Sequence, residues 1–393
     1  MRHCDVAIIG GGLAGSTAAA MLGEAGIHTV LIDPHKVYPP DFRCEKLDRT
    51  QVAALRKTGL AGKIAEAVTL SDEVWIVRHG DQVSKRHIGQ WDILYDTLVN
   101  TMRAAVPASV EFIEAKATAV QTGADRQRVT LSNGEEIDAR LIVMAMGLNV
   151  GIRHTLGLTR REISPQHSIS IGFDMAPVEG ERFPFPALTY YPERIGERVA
   201  YLTIFPIGET MRANFFVYRD MRDPWLKDMR HAPVETLTAT LPGLRKLAGP
   251  FAVTSDVKIR PVDLYVTEGH RQPGIVLVGD AFATSCPAAG TGAGKAIVDV
   301  ERLCHAHIPT WLATPGMAQE KIAAFYDDPV KVASDESAAE KAQYVRSIAV
   351  DTSLAWQLRR LANGVARNVG LATLRDFRAK VSAGAQNPAS HHS

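Results

Sequence analysis

Val6-Ala7-Ile8-Ile9-Gly10-Gly11-Gly12-Leu13-Ala14-Gly15 runs from a short apolar, β-branched stretch straight into glycines and then into an Ala-rich segment ending near Ala25. The first four residues have the composition of a buried strand, and the alanines favour a helix. Glycines 10, 12 and 15 set the spacing GxGxxG at the junction between the two. Gly10 permits a tight turn, Gly12 lets a pyrophosphate approach backbone N–H groups, and Gly15 lets strand and helix pack closely. The helix start adds orphan N–H donors and positive potential. A second apolar strand, Thr29 to Ile32, ends at Asp33, roughly 20 residues beyond the glycines, where a carboxylate can accept ribose hydroxyls. The N-terminus therefore reads as a βαβ unit that binds a dinucleotide.

Working outward, Pro34, Pro39 and Pro40 enforce an irregular segment, and Asp48 to Thr58 reads as a helix stopped by Gly59. Trp91 to Ala105 has helical spacing closed by Pro107. Val110 to Val120, Arg128 to Leu131 and Leu141 to Met146 read as strands. From Ser164 to Arg260 the character changes to strands with aromatic alternation, supplying Phe173, Tyr190, Tyr191, Tyr201, Phe205, Phe215 and Tyr218 as candidates for a cleft wall. Ile275 to Val278 returns to the buried-strand pattern and is followed by Gly279-Asp280. After it come Pro287, Gly290, Gly292, Ala293 and a helix from about Gly294 to Cys304. A second helix opening is thus presented to an anionic group. The remainder is helical, with a dispersed basic stretch from Arg359 to Arg378 that reads as a solvated face.

Composition bounds the function. The 393 residues carry 44 Lys plus Arg against 43 Asp plus Glu, a net charge of +1 with no basic block, so nucleic acid is not an expected partner. The first apolar run is too short for a secretory leader, no stretch reaches the ~18 apolar residues of a membrane span, and contact with a membrane is not expected. Four scattered cysteines, Cys4, Cys44, Cys286 and Cys304, fit a reducing cytoplasm. His305-Ala306-His307 is the only HxH or HxxxH pattern among the thirteen histidines, and no metal is expected.

Together, Gly10 to Gly15, Arg43 in the segment after the second strand, and the Gly279-Asp280, Pro287-x-x-Gly290-x-Gly292 pattern resemble the group A flavoprotein monooxygenases of the aromatic-hydroxylase type. The resemblance covers about three quarters of the chain. It implies an α/β fold: a Rossmann-like FAD-binding domain (1–163 and 261–308), an inserted antiparallel-sheet substrate domain (164–260) and a helical C-terminal region (309–393) with a frayed tail. It implies FAD held by Gly10, Gly12, Leu13, Ala14, Gly15 and Asp33 at one end. Arg43 would contact its phosphates, Asp280 its ribityl chain, and Pro287, Gly290, Gly292 and Ala293 would face the ring. The implied reaction is hydroxylation of an apolar or aromatic small molecule through a flavin C4a-hydroperoxide. The alternatives are a reductase or dehydrogenase on the same fold acting without oxygen, and a flavin-binding module without turnover.

The middle motif departs from the family. Met144-Ala145-Met146-Gly147 and Val150 stand where the family usually has Gly-Ala-Asp-Gly and Ser, while Arg153, Leu156 and Gly157 are kept. The family's Asp is tied to nicotinamide nucleotide use, so the electron source stays open between NADH or NADPH, a separate flavin reductase and the substrate itself. Gly294 replaces a common Asn. The Trp-x-Trp-x-Ile-Pro signature of flavin halogenases is absent, so halogenation is not expected. No catalytic residue is fixed by the sequence. The candidates are Glu45, beside Lys46 and open to either a paired structural or an acid–base role, together with Cys286 and Pro287. Cys286 reads either as a packing residue or as a redox thiol or flavin attachment point, and Cys44 shares that status.

Overall fold

The computed structural model describes residues 2–149 and 151–362. Val150, the charges Arg367, Arg375, Arg378 and Lys380, and the tail to Ser393 lie outside the described residues.

Two sheets organise the chain. The first places the strands Glu111–Glu114, Thr29–Asp33, Arg2–Ile9 and Glu136–Met144 side by side, with Ile275–Leu277 closing beside the end of the last. These neighbours are all parallel, as Val6 opposite Thr29 and Leu141, and Val276 opposite Val143, illustrate. Val6, Ile8, Leu31, Ile142 and Val276 are essentially inaccessible, which is the burial expected of parallel strands covered on both faces. The stretch read as one strand from Val110 to Val120 is two. Glu111–Glu114 joins the parallel set, and after a break at Ala115 and Lys116 Ala117–Gln121 pairs antiparallel with Gln127–Leu131. The helix expected from Trp91 starts later, at Tyr95, because Trp91 and Asp92 end a strand.

The second sheet has nine strands and is not confined to 164–260. Lys46–Leu47, Thr69–Arg78 and Gln82–Asp92 join it on one side, and Lys258–Glu268 pairs along the strand Thr159–Pro177. In the hairpin 69–92 the one apolar run is the four residues Val74 to Val77, while Leu70 faces solvent and Gln82–Trp91 is exposed or half-buried throughout. Alternation within Thr210–Val217 explains the two faces of this sheet. Ala213, Phe215 and Val217 pack into an apolar cluster with Leu226, Leu237 and Leu244 of the helical segment 224–248, while Arg212, Asn214 and Phe216 turn to the other side. That other side faces the glycine loops of the first sheet.

Among the described residues no helix is long and apolar enough to cross a membrane. The C-terminal region is helical over Ile308–Leu312, Gln319–Tyr326 and Pro329–Val350.

Candidate functional site

The first glycine turn behaves as its spacing demands. Gly10 adopts φ +102°, and a Cβ there would sit 2.6 Å from the Ala145 carbonyl oxygen. A Cβ on Gly15 would strike the Gly10 carbonyl, whereas one on Gly12 would meet nothing nearer than the Tyr95 hydroxyl at 3.9 Å. Gly15 thus serves packing and does not line the cavity, and Gly12 presents its backbone to open space. The helix Leu13–Glu24 has no side-chain cap at Gly12 and no acidic residue in its first turn, and of its first amides Leu13 N–H meets the Tyr95 hydroxyl. By contrast the helix Arg49–Lys57 is closed by a full capping box from Asp48 and Gln51.

Asp33 accepts from the Gly11 N–H at 2.7 Å and the His35 N–H at 2.9 Å, and it pairs with Arg103 at 3.1 Å. A carboxylate has about four lone-pair sites, so capacity remains for a ribose hydroxyl. Arg103 also donates to the Gly11 carbonyl at 2.8 Å and to the carbonyls of His35 and Lys36. This clamp escaped sequence reading, because an Arg in the last turn of the helix Tyr95–Ala104 carries no motif.

The second loop is built on a buried charge cluster. Gly279 donates its N–H to Asp299 at 2.9 Å. Asp299 pairs with Lys331 at 2.9 Å and Lys295 at 3.4 Å, and both lysines reach Asp335, at 2.9 and 3.0 Å. Burial alone would raise the Asp299 carboxyl, but Lys295 and Lys331 hold it below the usual range. Asp280 pairs with Arg43 at 3.1 Å, and Arg43 in turn binds Asp41 at 2.6 Å. Farther on, Gln51 donates to the Gly290 carbonyl at 2.8 Å. Gly290 takes φ +66°, and a Cβ there would meet nothing within 4 Å. The helix Gly292–Arg302 is again uncapped, with no acidic residue in its first turn.

Both openings line one cavity of about 390 Å³. Gly10, Gly12, Leu13, Ala14 and Asp33 contribute from the first side, and Asp280, Pro287, Gly290, Gly292 and Ala293 from the second. Arg43 and Glu45 line it between them. Two uncapped helix starts and glycine backbones facing open space fit the pyrophosphate and ring of an elongated dinucleotide. Met146 lines the cavity where the family has Asp, and Arg153 behind it is buried and donates to the Gly147 carbonyl.

The opposite wall corrects the expected aromatics. None of Phe173, Tyr190, Tyr191, Tyr201, Phe205, Phe215 or Tyr218 lines the cavity; Phe216 does, one residue out of register with Phe215. Tyr201 stands behind Phe216 with ring centroids 5.0 Å apart. Phe42 also lines the cavity, in room left by Gly172, where a Cβ would collide with its ring.

Of the catalytic candidates, Glu45 is 1 % exposed and takes both Arg212 Nε at 3.1 Å and Arg212 Nη2 at 2.9 Å on Oε1. Burial pushes its carboxyl above the usual range, opposed by Arg212. Lys46 sits over the Phe205 ring at 5.3 Å, and burial lowers its ammonium to about 8. The Cys286 side chain is fully buried away from the cavity, 3.8 Å from Ser168 Oγ, and burial raises its thiol; Cys44 lines the cavity with its thiol pushed up to about 11. Neither has the lowered pKa of a reactive thiolate. Pro287 lines the cavity as the first residue of a short 3₁₀ turn.

Residues 3–310 match the model of the FAD binding domain family, and the chain belongs to that family. Ubiquinone hydroxylase UbiL of Rhodospirillum rubrum is 28 % identical over 177 residues, 41 % of this chain and 41 % of its own length. Tetracenomycin A2 monooxygenase-dioxygenase of Streptomyces glaucescens is 24 % identical over 360 residues, 77 % of this chain and 61 % of its own. The chain thus spans less than two thirds of the length of these two relatives. The crystal structure of p-nitrophenol 4-monooxygenase PnpA from Pseudomonas putida DLL-E4 is similar with a TM-score of 0.75 at 16 % identity, covering 97 % of this chain and 98 % of that one. The α/β fold and the kinship with group A flavoprotein monooxygenases drawn from the motifs both hold.

Proposed function

We propose that the protein is an FAD-dependent monooxygenase that hydroxylates an apolar or aromatic small molecule. One observation carries the reading: two uncapped helix openings from distant parts of the chain line a single cavity whose far wall is the Phe216 face of the second sheet. The sequence relatives that carry hydroxylase and monooxygenase names support it.

FAD bound here supplies the activation of dioxygen. The chain's own residues hold and shield it. Amides around Gly12 bind the pyrophosphate, Asp33 the adenosine ribose, and Asp280, steadied by Arg43, the ribityl chain. Amides near Gly290 and Gly292 stabilise negative charge at the ring. Phe42 and Phe216 keep water from the side where the substrate enters. Met146 in place of Asp favours an electron supply from a separate flavin reductase over directly bound NADH or NADPH, and the same feature sustains the second reading, an oxygen-independent reductase. We place the protein in the cytoplasm, where its four free cysteines stay reduced.

The test is to load the protein with FAD, reduce it without air, and admit isotopically labelled dioxygen with a panel of phenols and apolar arenes. Label in the product supports the monooxygenase. Turnover that proceeds without oxygen establishes the reductase instead, and failure to retain FAD removes both.

A further inference from the structure

After the helix Pro329–Val350 the chain turns at Asp351 and enters a further helix at 354–362. The turn is fixed locally. Asp351 accepts from the Ser353 N–H at 2.9 Å, and Arg360 donates to the Asp351 and Ile348 carbonyls at 2.6 and 3.2 Å. Trp356 packs against Tyr344 of the preceding helix with ring centroids 5.8 Å apart. Trp356 and Arg360, four residues apart, thus make the inner face of 354–362.

The outer face is apolar. Leu354, Leu358 and Leu361 stand at the i, i+4, i+7 spacing of one helix stripe and are 71 %, 57 % and 66 % exposed. Single apolar side chains are ordinary at a surface, but a row of three on one stripe marks a docking surface. The row runs into a cleft of about 660 Å³ against the 3₁₀ turn Ile195–Glu197, where Leu361, Val350 and the exposed Ile195 meet Arg198. Charge decides between occupants. Residues 354–362 carry Arg359 and Arg360 and no acid, and from Ser353 to Lys380 the sequence has six basic residues against Asp376 alone. A second copy of this helix would set like charges against each other, whereas an anionic surface attracts them.

We propose that the helix 354–362 seats the protein on an anionic lipid bilayer, with Leu354, Leu358 and Leu361 entering the boundary between headgroups and acyl chains and Arg359 and Arg198 meeting the phosphates. The arginines are dispersed along the sequence, so by themselves they read as a solvated face. The uncovered leucines beside them supply the apolar half of an amphipathic anchor. One short helix and a few charges give reversible attachment, weakened as salt screens the charges. The inference does not rest on the proposed function, and its test needs no turnover.

The full chain is mixed with vesicles of two parts phosphatidylcholine to one part phosphatidylglycerol, or of phosphatidylcholine alone, and the bound fraction is measured by co-sedimentation at low and raised salt. Affinity for the mixed vesicles is expected to exceed that for phosphatidylcholine about tenfold or more and to fall with salt. A variant carrying Leu354→Ser, Leu358→Ser and Leu361→Ser, all at exposed positions where the fold is spared, should lose about tenfold or more. Arg359→Gln should lose about fivefold at low salt, the share of one charge near the surface. Equal affinity for both vesicles, or undiminished binding by the triple variant, overturns the proposal. Two further results overturn it and name the occupant instead. If vesicles bind nothing and the lipid-free protein is a dimer that the triple variant dissociates, the leucines meet a second copy. If vesicles bind nothing and the triple variant of a monomer has a lowered urea midpoint, residues 363–393 of the same chain cover them.

Discussion

Arg43 and Asp280 stand 237 residues apart in the chain and meet at 3.1 Å on the rim between the two glycine loops. The pair ties the segment after the second strand to the turn after the last parallel strand. Both side chains are partly exposed, so their direct attraction adds little to stability. Their contribution is to ligand binding. Asp280→Ala is expected to weaken FAD binding about tenfold or more, on the scale of a lost charge-assisted hydrogen bond. Arg43→Ala should cost a similar amount, and the double variant less than the sum, because the residues act together. Titration of FAD fluorescence measures all three, and unchanged affinity in Asp280→Ala would mean that this turn does not hold the cofactor.

The two glycines at positions 12 and 15 make opposite predictions. Gly15→Ala drives a methyl into the Gly10 carbonyl and should destabilise the fold by roughly 1–3 kcal/mol. Gly12→Ala places its methyl in open cavity and should cost about 1 kcal/mol or less, yet reduce FAD affinity at least about tenfold. Urea denaturation of the flavin-free protein beside FAD titration separates the two effects.

Breaking the cluster behind Gly279 should be expensive. Lys331→Met leaves Asp299 and Asp335 to Lys295 alone and is expected to cost about 3–5 kcal/mol, the usual penalty for orphaning a buried charge. Lowered thermal stability, accompanied by faster hydrogen exchange at the Gly279 amide, is the observation sought; an unchanged midpoint would mean that water already serves this cluster.

His167 gives the protein a pH dependence of its own. The ring is inaccessible, and burial, with the Arg346 guanidinium nearby, lowers its pKa from 6.5 to about 4. Below pH 6.5 the unfolded chain binds a proton that the folded chain does not, so the contribution is fully present above that value and lost as pH falls toward 4. Its size over that window is about 3 kcal/mol. His167→Gln should flatten this part of the stability curve, measured as urea midpoints at several pH values from neutral downward. An equally steep loss in the variant would assign the acid sensitivity elsewhere.

What could be read in advance followed from locality. Gly10 to Gly15, Asp33, and the run from Gly279 to Gly292 carry their chemistry within a few consecutive residues, and a turn that must bend and still admit a phosphate leaves few choices of side chain. Gln51 and Asn214 line the cavity, and Arg103 and Arg212 brace Asp33 and Glu45 behind it; each is brought there by tertiary folding, and a lone polar residue in a strand or helix announces nothing. Phe215 and Phe216 show the limit most sharply: both are aromatic, and the pleat alone decides that the second faces the cleft. The hairpin 69–92 carried a weak signal because its apolar run is only Val74 to Val77 and its buried positions, Ser71, Val74 and Val77, fall three apart instead of at the two-residue period of a strand.

The parallel neighbours Thr69–Arg78 and Leu188–Tyr190, with Trp75 opposite Leu188, form a seam between an early and a late part of the chain. Exchanging residues 164–260 alone with a relative would join half-walls of different ancestry along that seam. Chemical specificity in this architecture is therefore inherited as a matched set of segments, 46–92 together with 159–268, and chimaeras that respect both should outperform those cut at any single point between them.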